Sequence, residues 1–461
     1  MHAGGTAADR RTLAGLFATK AAGLALVFIS GVLLARILGP AGKGAVDVTL
    51  SLFALLMLLY PSLEEPQLML LARDSSCAGR LAGNAVVVAL LSGAVIFGAF
   101  EWFVADGDGL LALLHPRAAS IDSIAGSSNG VDAQLLVLLV WAAPFEILAR
   151  VLTGVLQGCR NMRAFNAVHL ARNGALLLAV LLLVVLGDAG VRGAVQAWAW
   201  SSVAAALVAL VAVLRDSAIR ASGFGVRWGL LRDQLSGGLR VQGAVIAAAV
   251  ILSGDQLILW HYHGAAAVGP YALAAALSGQ LRRFMVQPVK EMLGAALAQS
   301  GSDSAALAAS IAAASRRVLA LLLPPSVLLA LLAWPLLYGV YGEGFVAAWT
   351  PLLLLLPGGL LWAAAVVLSW WLVATNQLLL LTSIGLLFAA TNVALNLCFV
   401  PQGAALAAAC TSTLCYALHA VVLAMLFCCA SKTSWRGLWP RSADYALWKD
   451  ALRLVLPARK R

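Results

Sequence analysis

Long apolar runs, each able to cross a bilayer as a helix, recur along the whole chain and leave little room for any other architecture. They fall at roughly 13–37, 45–70, 80–104, 134–157, 164–187, 192–214, 241–262, 269–298, 316–341, 350–373, 379–400 and 403–428. A hydrocarbon core about 30 Å thick is spanned by about 20 residues rising 1.5 Å each, and every run meets that requirement. With 62% hydrophobic and only 11% charged residues, the chain lacks the polar surface that a water-soluble domain needs. The runs are also far longer than barrel strands, which would alternate polar and apolar residues. Gly and Ala scattered through them suit close helix packing in lipid. The expected fold is an all-α polytopic membrane protein of about 12 transmembrane helices. Arg10-Arg11 ahead of the first run imitates the start of a signal peptide. The apolar stretch is too long for one, and no small-residue cleavage site precedes Arg36, so the run is read as a retained first helix.

The basic residues orient the helices. Short loops rich in Lys and Arg stay in the cytoplasm because moving those charges across the membrane is unfavourable. Threaded from inside, the inner segments hold Arg10, Arg11 and Lys20, then Arg73 and Arg80, then Arg160 and Arg163. They also hold Arg215, Arg220, Arg227, Arg232 and Arg240, then Arg282, Arg283, Lys290, Arg316 and Arg317, and the basic tail after residue 430. The outer segments hold only Arg36, Lys43, Arg117 and Arg192. Both termini are therefore expected in the cytoplasm. The asymmetry also accounts for the net charge of +11. A basic face beside anionic membrane lipids explains it without a nucleic-acid partner.

Four segments follow: an N-terminal six-helix lobe over 1–214, a basic cytoplasmic linker over 215–240, a C-terminal six-helix lobe over 241–428 and a basic cytoplasmic tail over 429–461. The seven cysteines form no CxxC pair and no metal spacing with His, so neither a redox framework nor a metal site is expected. Cys inside apolar helices serves as a small hydrophobe. The one long outer loop, 105–133, is rich in Ser, Gly, Asp and Asn and reads as a surface loop. Its His115, Asp122 and Asp132 have no spacing that supports an acid–base set. No nucleotide loop, HExxH helix, GxSxG elbow or paired-carboxylate motif is present, so the chain is read as no enzyme.

The halves look related. Leu38-Gly39-Pro40-Ala41-Gly42-Lys43-Gly44 and Gly264-Ala265-Ala266-Ala267-Val268-Gly269-Pro270 each end a helix at Gly, place a second Gly five residues later and begin a new helix. A weaker echo joins Gly187-Asp188-Ala189-Gly190-Val191-Arg192-Gly193-Ala194 to Pro401-Gln402-Gly403-Ala404. Glycine's turn geometry alone would account for each turn. The matched positions favour duplication into two halves of the same orientation, a parallel repeat of the kind transporters use.

The segment from Val32 to Leu52, with LLARILGPAGKG at its centre, resembles the opening of polysaccharide transporters of the multidrug/oligosaccharidyl-lipid/polysaccharide (MOP) exporter superfamily. Further similar pieces fall in order: Gln157-Gly158 with Arg163, Asp255-Gln256-Leu257-Ile258-Leu259, Val268-Gly269-Pro270-Tyr271, Tyr341-Gly342-Glu343-Gly344-Phe345, and Asn392 and Asn396 ahead of Pro401. The family has Tyr soon after the position of Gly44, where this chain has Val46. The resemblance implies two six-helix lobes around a central cavity, alternating between inward and outward openings in a bacterial inner membrane. It implies a lipid-linked oligosaccharide as substrate, moved as polyprenyl diphosphate from inner to outer leaflet for cell-surface polysaccharide synthesis. No cofactor is implied, although the membrane potential, Na+ or H+ can drive such transport. The expected partners are the substrate, membrane lipids and polysaccharide-assembly proteins, around a monomeric transport unit. A basic tail in place of two extra C-terminal helices sets the chain apart from lipid II flippases.

Charged residues within apolar helices are costly and mark a cavity or a partner. Arg282 and Arg283 lie about eleven residues below the outer end of the eighth run, roughly 16 Å at 1.5 Å per residue and near the midplane. Gln287-Pro288 after them predicts a kink that frees backbone carbonyls. Two guanidinium forks there suit a lipid diphosphate. The plain alternatives are a cytoplasmic anchor or a pair with Glu291. Lys20, Arg150 and Arg172 are further candidates for a cationic cavity. For them the alternatives are snorkelling and, for Arg150, an i,i+4 pair with Glu146. Asp255 either binds a coupling cation or locks an arginine. Glu64 and Glu65, ahead of Pro66, either serve an inner gate or mark a helix end. Arg36 and Asp47 are read as caps of the first outer turn. Two other function classes fit an apolar chain of this kind. One is a cation-coupled multidrug exporter, which would prefer carboxylates to arginines at its site. The other is a polysaccharide polymerase or ligase, which would need catalytic groups converging in an outer loop.

Overall fold

The computed structural model describes residues 7–105, 133–300, 304–445 and 448, with only the backbone given at 7–18, 20, 65, 103–105 and 284–300. The outer loop's His115, Asp122 and Asp132 lie outside the described residues, as do the side chains of Lys20, Glu65, Gln287, Pro288 and Glu291.

Every described element is helical: α1 (Ala7–Leu56), α2 (Glu64–Arg73), α3 (Ala78–Ala105), α4 (Ala133–Gly158), α5 (Met162–Ala179), α6 (Gly190–Arg215), α7 (Ser217–Ala221), α8 (Trp228–Ser300), α9 (Ser304–Leu336), α10 (Trp349–Ala374) and α11 (Leu378–Ser431), with short 3-10 and π turns at their ends. In hydrocarbon each backbone N–H and C=O needs a partner within the segment, which a helix supplies. Among the described residues nine helical stretches are long and apolar enough to cross a membrane. Three of them, Ala21–Leu59, Trp228–Arg283 and Leu378–Ser431, run 39, 56 and 54 residues. Each is interrupted at one point, at Gly39, Gly264 and Ala404 respectively. Each of these three therefore holds two crossings, which brings the described crossings to the expected twelve. The chain is a multi-pass membrane protein.

Three boundaries differ from expectation; one is the ninth crossing's helix, which starts at Ser304 rather than near 316. The second crossing does not continue to residue 70. Its helix ends at Leu56, a 3-10 turn carries it to Leu59, and α2 starts afresh at Glu64. Pro61 lacks an N–H and blocks a continuous helix, and Gln242 satisfies the backbone left open. The Gln242 amide donates to the Leu58 carbonyl at 2.6 Å and accepts from the Ser62 N–H at 3.0 Å. The seventh crossing's helix starts at Trp228 rather than near 241, so much of the arginine-rich connection is helical.

The chain divides into two compact units, one running up to Val245 and including Gly264–Gly269, the other comprising Ile246–His263 and the chain from Pro270 onward. In the first unit, Gly93 on α3 leaves room for Pro144 on α4, while Asn173 on α5 donates to the Gly23 carbonyl of α1 at 3.1 Å. The second unit packs α8–α11 around Ile251, Ile311, Val318, Trp362, Trp371, Phe388, Leu423 and Phe427.

The two matched glycine turns share one backbone conformation. Gly39 has φ 65° and ψ −178°, and Gly264 has φ 74° and ψ 178°, a region open essentially to glycine alone. Their second glycines meet reciprocally inside the first unit. A Cβ on Gly44 would fall on the Ala265 carbonyl, and one on Gly269 would fall on the Pro40 carbonyl. Each glycine thus turns a Cα–H toward a carbonyl of the other turn, the geometry of a weak Cα–H···O bond.

Candidate functional site

The first unit gathers four of the charged residues singled out by sequence. Glu146, on α4, is buried to 1% exposure and receives two guanidinium groups. Arg150, one turn along, donates through Nε to Oε1 at 2.9 Å. Arg172, on α5, donates through Nη2 to Oε2 at 2.6 Å and through Nη1 to Oε1 at 3.1 Å, a two-pronged pair. The Ser202 hydroxyl of α6 donates to Oε2 at 3.0 Å. Arg172 also lies over the Trp198 ring at 5.4 Å, and aromatic faces attract cations. The i,i+4 pair expected of Glu146 and Arg150 is present, but the carboxylate is shared.

One carboxylate neutralises one of the two guanidinium charges, and Arg150 keeps 47% of its side chain exposed. It opens into a cavity of about 190 Å³ lined also by Glu64, Thr153, Gln157, Phe165, His169 and Arg172. Glu64 stands at the first position of α2, just past the break at Pro61, and acts electrostatically on Arg150. Behind the cavity wall, Gln67 is fully buried against Gly154, with neither end of its amide hydrogen-bonded. The cavity therefore offers cationic donors, a carboxylate, an imidazole and the Gln157 amide: groups that recognise a phosphate or a polyhydroxyl ligand.

In the second unit, Asp255 locks no arginine among the described residues. Its Oδ2 accepts the Ser412 hydroxyl at 2.9 Å and a close hydrogen bond from Tyr271, and its Oδ1 caps the Gln256 N–H at 2.8 Å. The arginine-lock reading is thus replaced by a hydroxyl-lined carboxylate. Tyr416, one turn beyond Ser412, lies within electrostatic reach of both Asp255 and Arg282. Arg282 is half-buried beside Gly359, Arg283 is exposed, and among the described residues neither forms an ion pair. Asn396 donates to the Asn392 side chain at 3.1 Å and accepts from Thr411 at 2.9 Å. His419 is buried between Trp362 and Phe388 with neither ring nitrogen hydrogen-bonded. Asp47, expected as a cap, instead pairs with Lys43 one turn earlier.

The sequence signal missed Ser202, Trp198, Tyr271, Ser412 and Tyr416. Each is an uncharged residue in an apolar helix, with nothing in its spacing to separate it from a packing residue.

Residues 124–350 match a family described as "Polysaccharide biosynthesis protein". No curated protein matches the chain by sequence. An inward-facing multidrug resistance MATE family transporter of the MOP superfamily is similar in structure, with TM-score 0.69 and 16% identity, covering 89% of this chain and 96% of its own. The lipid II flippase MurJ in an inward closed conformation is similar at TM-score 0.68 and 12% identity, covering 96% of this chain and 93% of its own. The resemblance read from the sequence thus agrees with both comparisons: residues 124–350 are similar to a polysaccharide-biosynthesis family, and the chain's fold is like that of a MATE transporter of the MOP superfamily and of MurJ.

Proposed function

We propose that this protein is an alternating-access flippase that moves a polyprenyl-diphosphate-linked oligosaccharide from the inner to the outer leaflet of a bacterial inner membrane, with both termini in the cytoplasm. The observation that carries the reading is the polysaccharide-biosynthesis match over 124–350 on a transporter fold. A glycan headgroup is barred from hydrocarbon because each hydroxyl that loses its water partners costs kilocalories. A polar cavity replaces those partners while the lipid tail stays in the bilayer. Arg150 and Arg172, with Arg282, Arg283 and Lys20, supply the cationic groups that would hold the diphosphate, and Glu64, Glu65 and Glu146 temper their grip. An outside-positive potential favours outward movement of an anion by about 2.3 kcal/mol per charge per 100 mV. Asp255, in its ring of hydroxyls, is the place for a coupling Na+ or H+ where the potential alone does not suffice. The partners would be enzymes and scaffolds of polysaccharide assembly, acting on a monomeric transport unit.

The test is a proteoliposome with a defined potential and a labelled lipid-linked glycan. Exposure of the glycan on the far side, dependent on the protein, supports the proposal. Export of a cationic drug against its gradient with no glycan movement would assign the chain to the multidrug exporters instead.

A further inference from the structure

At the arginine-rich end of the first unit, the segment Gly223–Arg227 between α7 and α8 lies flat on the first turns of α3. It is held there by built contacts. The Ser222 hydroxyl accepts the Gly79 N–H at 2.7 Å. The Asn84 side chain accepts the Arg227 N–H at 3.1 Å and donates to Gln234 at 2.9 Å, and both Asn84 and Gln234 are fully buried. Side chains on Gly79 and Gly83 would collide with carbonyls of this segment, so the close approach depends on those glycines. Between the segment and α3 lies an open cavity of about 440 Å³ lined by Arg80, Gly223, Phe224, Gly225, Val226 and Arg227.

The chemistry of this cavity has two parts. Arg80, on α3, and Arg227, on the connecting segment, both line it, and among the described residues neither forms an ion pair. Asp74 is the acidic group within electrostatic range of both. It is already engaged by the Ser76 hydroxyl and by the Ser76 N–H at 2.9 Å, which together hold its carboxyl below the usual range. Beside the arginines stand Phe224, Val226 and Trp228, exposed by 46%, 45% and 70%. Two unpaired guanidinium groups next to bare apolar side chains, at the end of the helices that the basic residues assign to the cytoplasmic side, suit a ligand that is anionic at one end and apolar at the other.

We propose that this cavity is a binding site for the phosphate headgroup of an anionic membrane phospholipid, gripped between Arg80 and Arg227, with its acyl chains along Phe224, Val226 and Trp228. The site is separate from the Glu146 cluster and does not depend on which substrate is transported. It ties the connection between the sixth and seventh crossings, and α3 against which that connection packs, to the lipid surface.

The test is native mass spectrometry of the full-length protein titrated with phosphatidylglycerol, phosphatidylcholine or soluble glycerol phosphate. Phosphatidylglycerol should bind the wild type about tenfold or more tighter than the Arg80→Gln/Arg227→Gln variant. An Arg220→Gln/Arg232→Gln variant, altered on the same basic connection but outside the cavity, should bind as the wild type does. Dibrominated phosphatidylglycerol should quench a fluorescence component that disappears in Trp228→Phe, and dibrominated phosphatidylcholine should not; this readout needs no arginine variant. Equal phosphatidylglycerol binding by all variants, or equal loss in both double variants, would overturn the proposal. Displacement by glycerol phosphate at matched concentration would make the ligand a free phosphate ester and remove the lipid.

Discussion

Glu146 is the residue on which the first unit's electrostatics turn. A buried carboxylate that satisfies two guanidinium groups and a hydroxyl adds little net stability, but removing it strands two cations. Glu146→Gln is therefore expected to lower unfolding stability by about 3–5 kcal/mol, read as a thermal shift in detergent. Arg172 makes two bonds at 26% exposure, whereas Arg150 makes one at 47%. Arg172→Gln should therefore cost more stability than Arg150→Gln, and the reverse order would mean that the pair at Arg172 is not formed in the membrane. In the second unit, Arg282→Gln/Arg283→Gln should leave a folded, inserted protein that no longer moves a lipid-linked glycan in proteoliposomes. Full transport by that variant would reduce both arginines to structural anchors. The spacing of Glu146 and Arg150 was legible because a helix sets two residues four apart on one face. The arrival of Arg172 and Ser202 was not, because it depends on how α4, α5 and α6 pack, which no local pattern encodes.

At the scale of elements, the turns carry the most specific information. Gly39 and Gly264 were legible because their conformation admits little but glycine, so the sequence must spell them out. The third interruption, at Ala404, was only faintly legible. Here a non-glycine residue holds φ 46° and ψ −135°, which costs about 1–3 kcal/mol in backbone strain. Ala404→Gly should relieve it and raise unfolding stability by about 1 kcal/mol. A lower melting temperature for that variant would mean that the alanine methyl repays the strain in packing. Gly44→Ala and Gly269→Ala should each cost about 1–3 kcal/mol through overpacking. Because both substitutions wedge the same contact, the double variant should cost less than their sum, and a thermal double-mutant cycle would show it. The end of the second crossing was set too far along because apolar residues return at Leu68, Met69, Leu70 and Leu71 beyond Glu64 and Glu65, while Pro61 stops the helix geometrically.

For the whole molecule, the number of crossings was legible from apolar length alone, since lipid permits few alternatives to a helix of about 20 residues. Orientation rests on charge. Reporter fusions after residues 120 and 346 should report an outer location and those after 225 and 435 a cytoplasmic one; an outer signal at 225 would invert the assignment. The separation into units by packing, with Gly264–Gly269 set among residues of the first half, was not legible, because a pattern of apolar runs says which segments cross but not which crossings touch.

That placement of Gly264–Gly269 has a consequence for the history of the chain. The contact runs from Gly44 to the residue after Gly264, and from Gly269 to the residue after Gly39. Such a contact maps onto itself when the two turns are exchanged, which is the defining property of the isologous interface in a symmetric homodimer. A single chain has no need of self-complementary surfaces, but two copies of one half-length ancestor would. In such a dimer, any substitution at the second glycine strikes the interface twice. In a single chain that carries both halves, each side can change by single steps. The turns differ accordingly around their shared glycines, with Pro40 opposite the place of Ala265, and Lys43 in one where Val268 stands in the other.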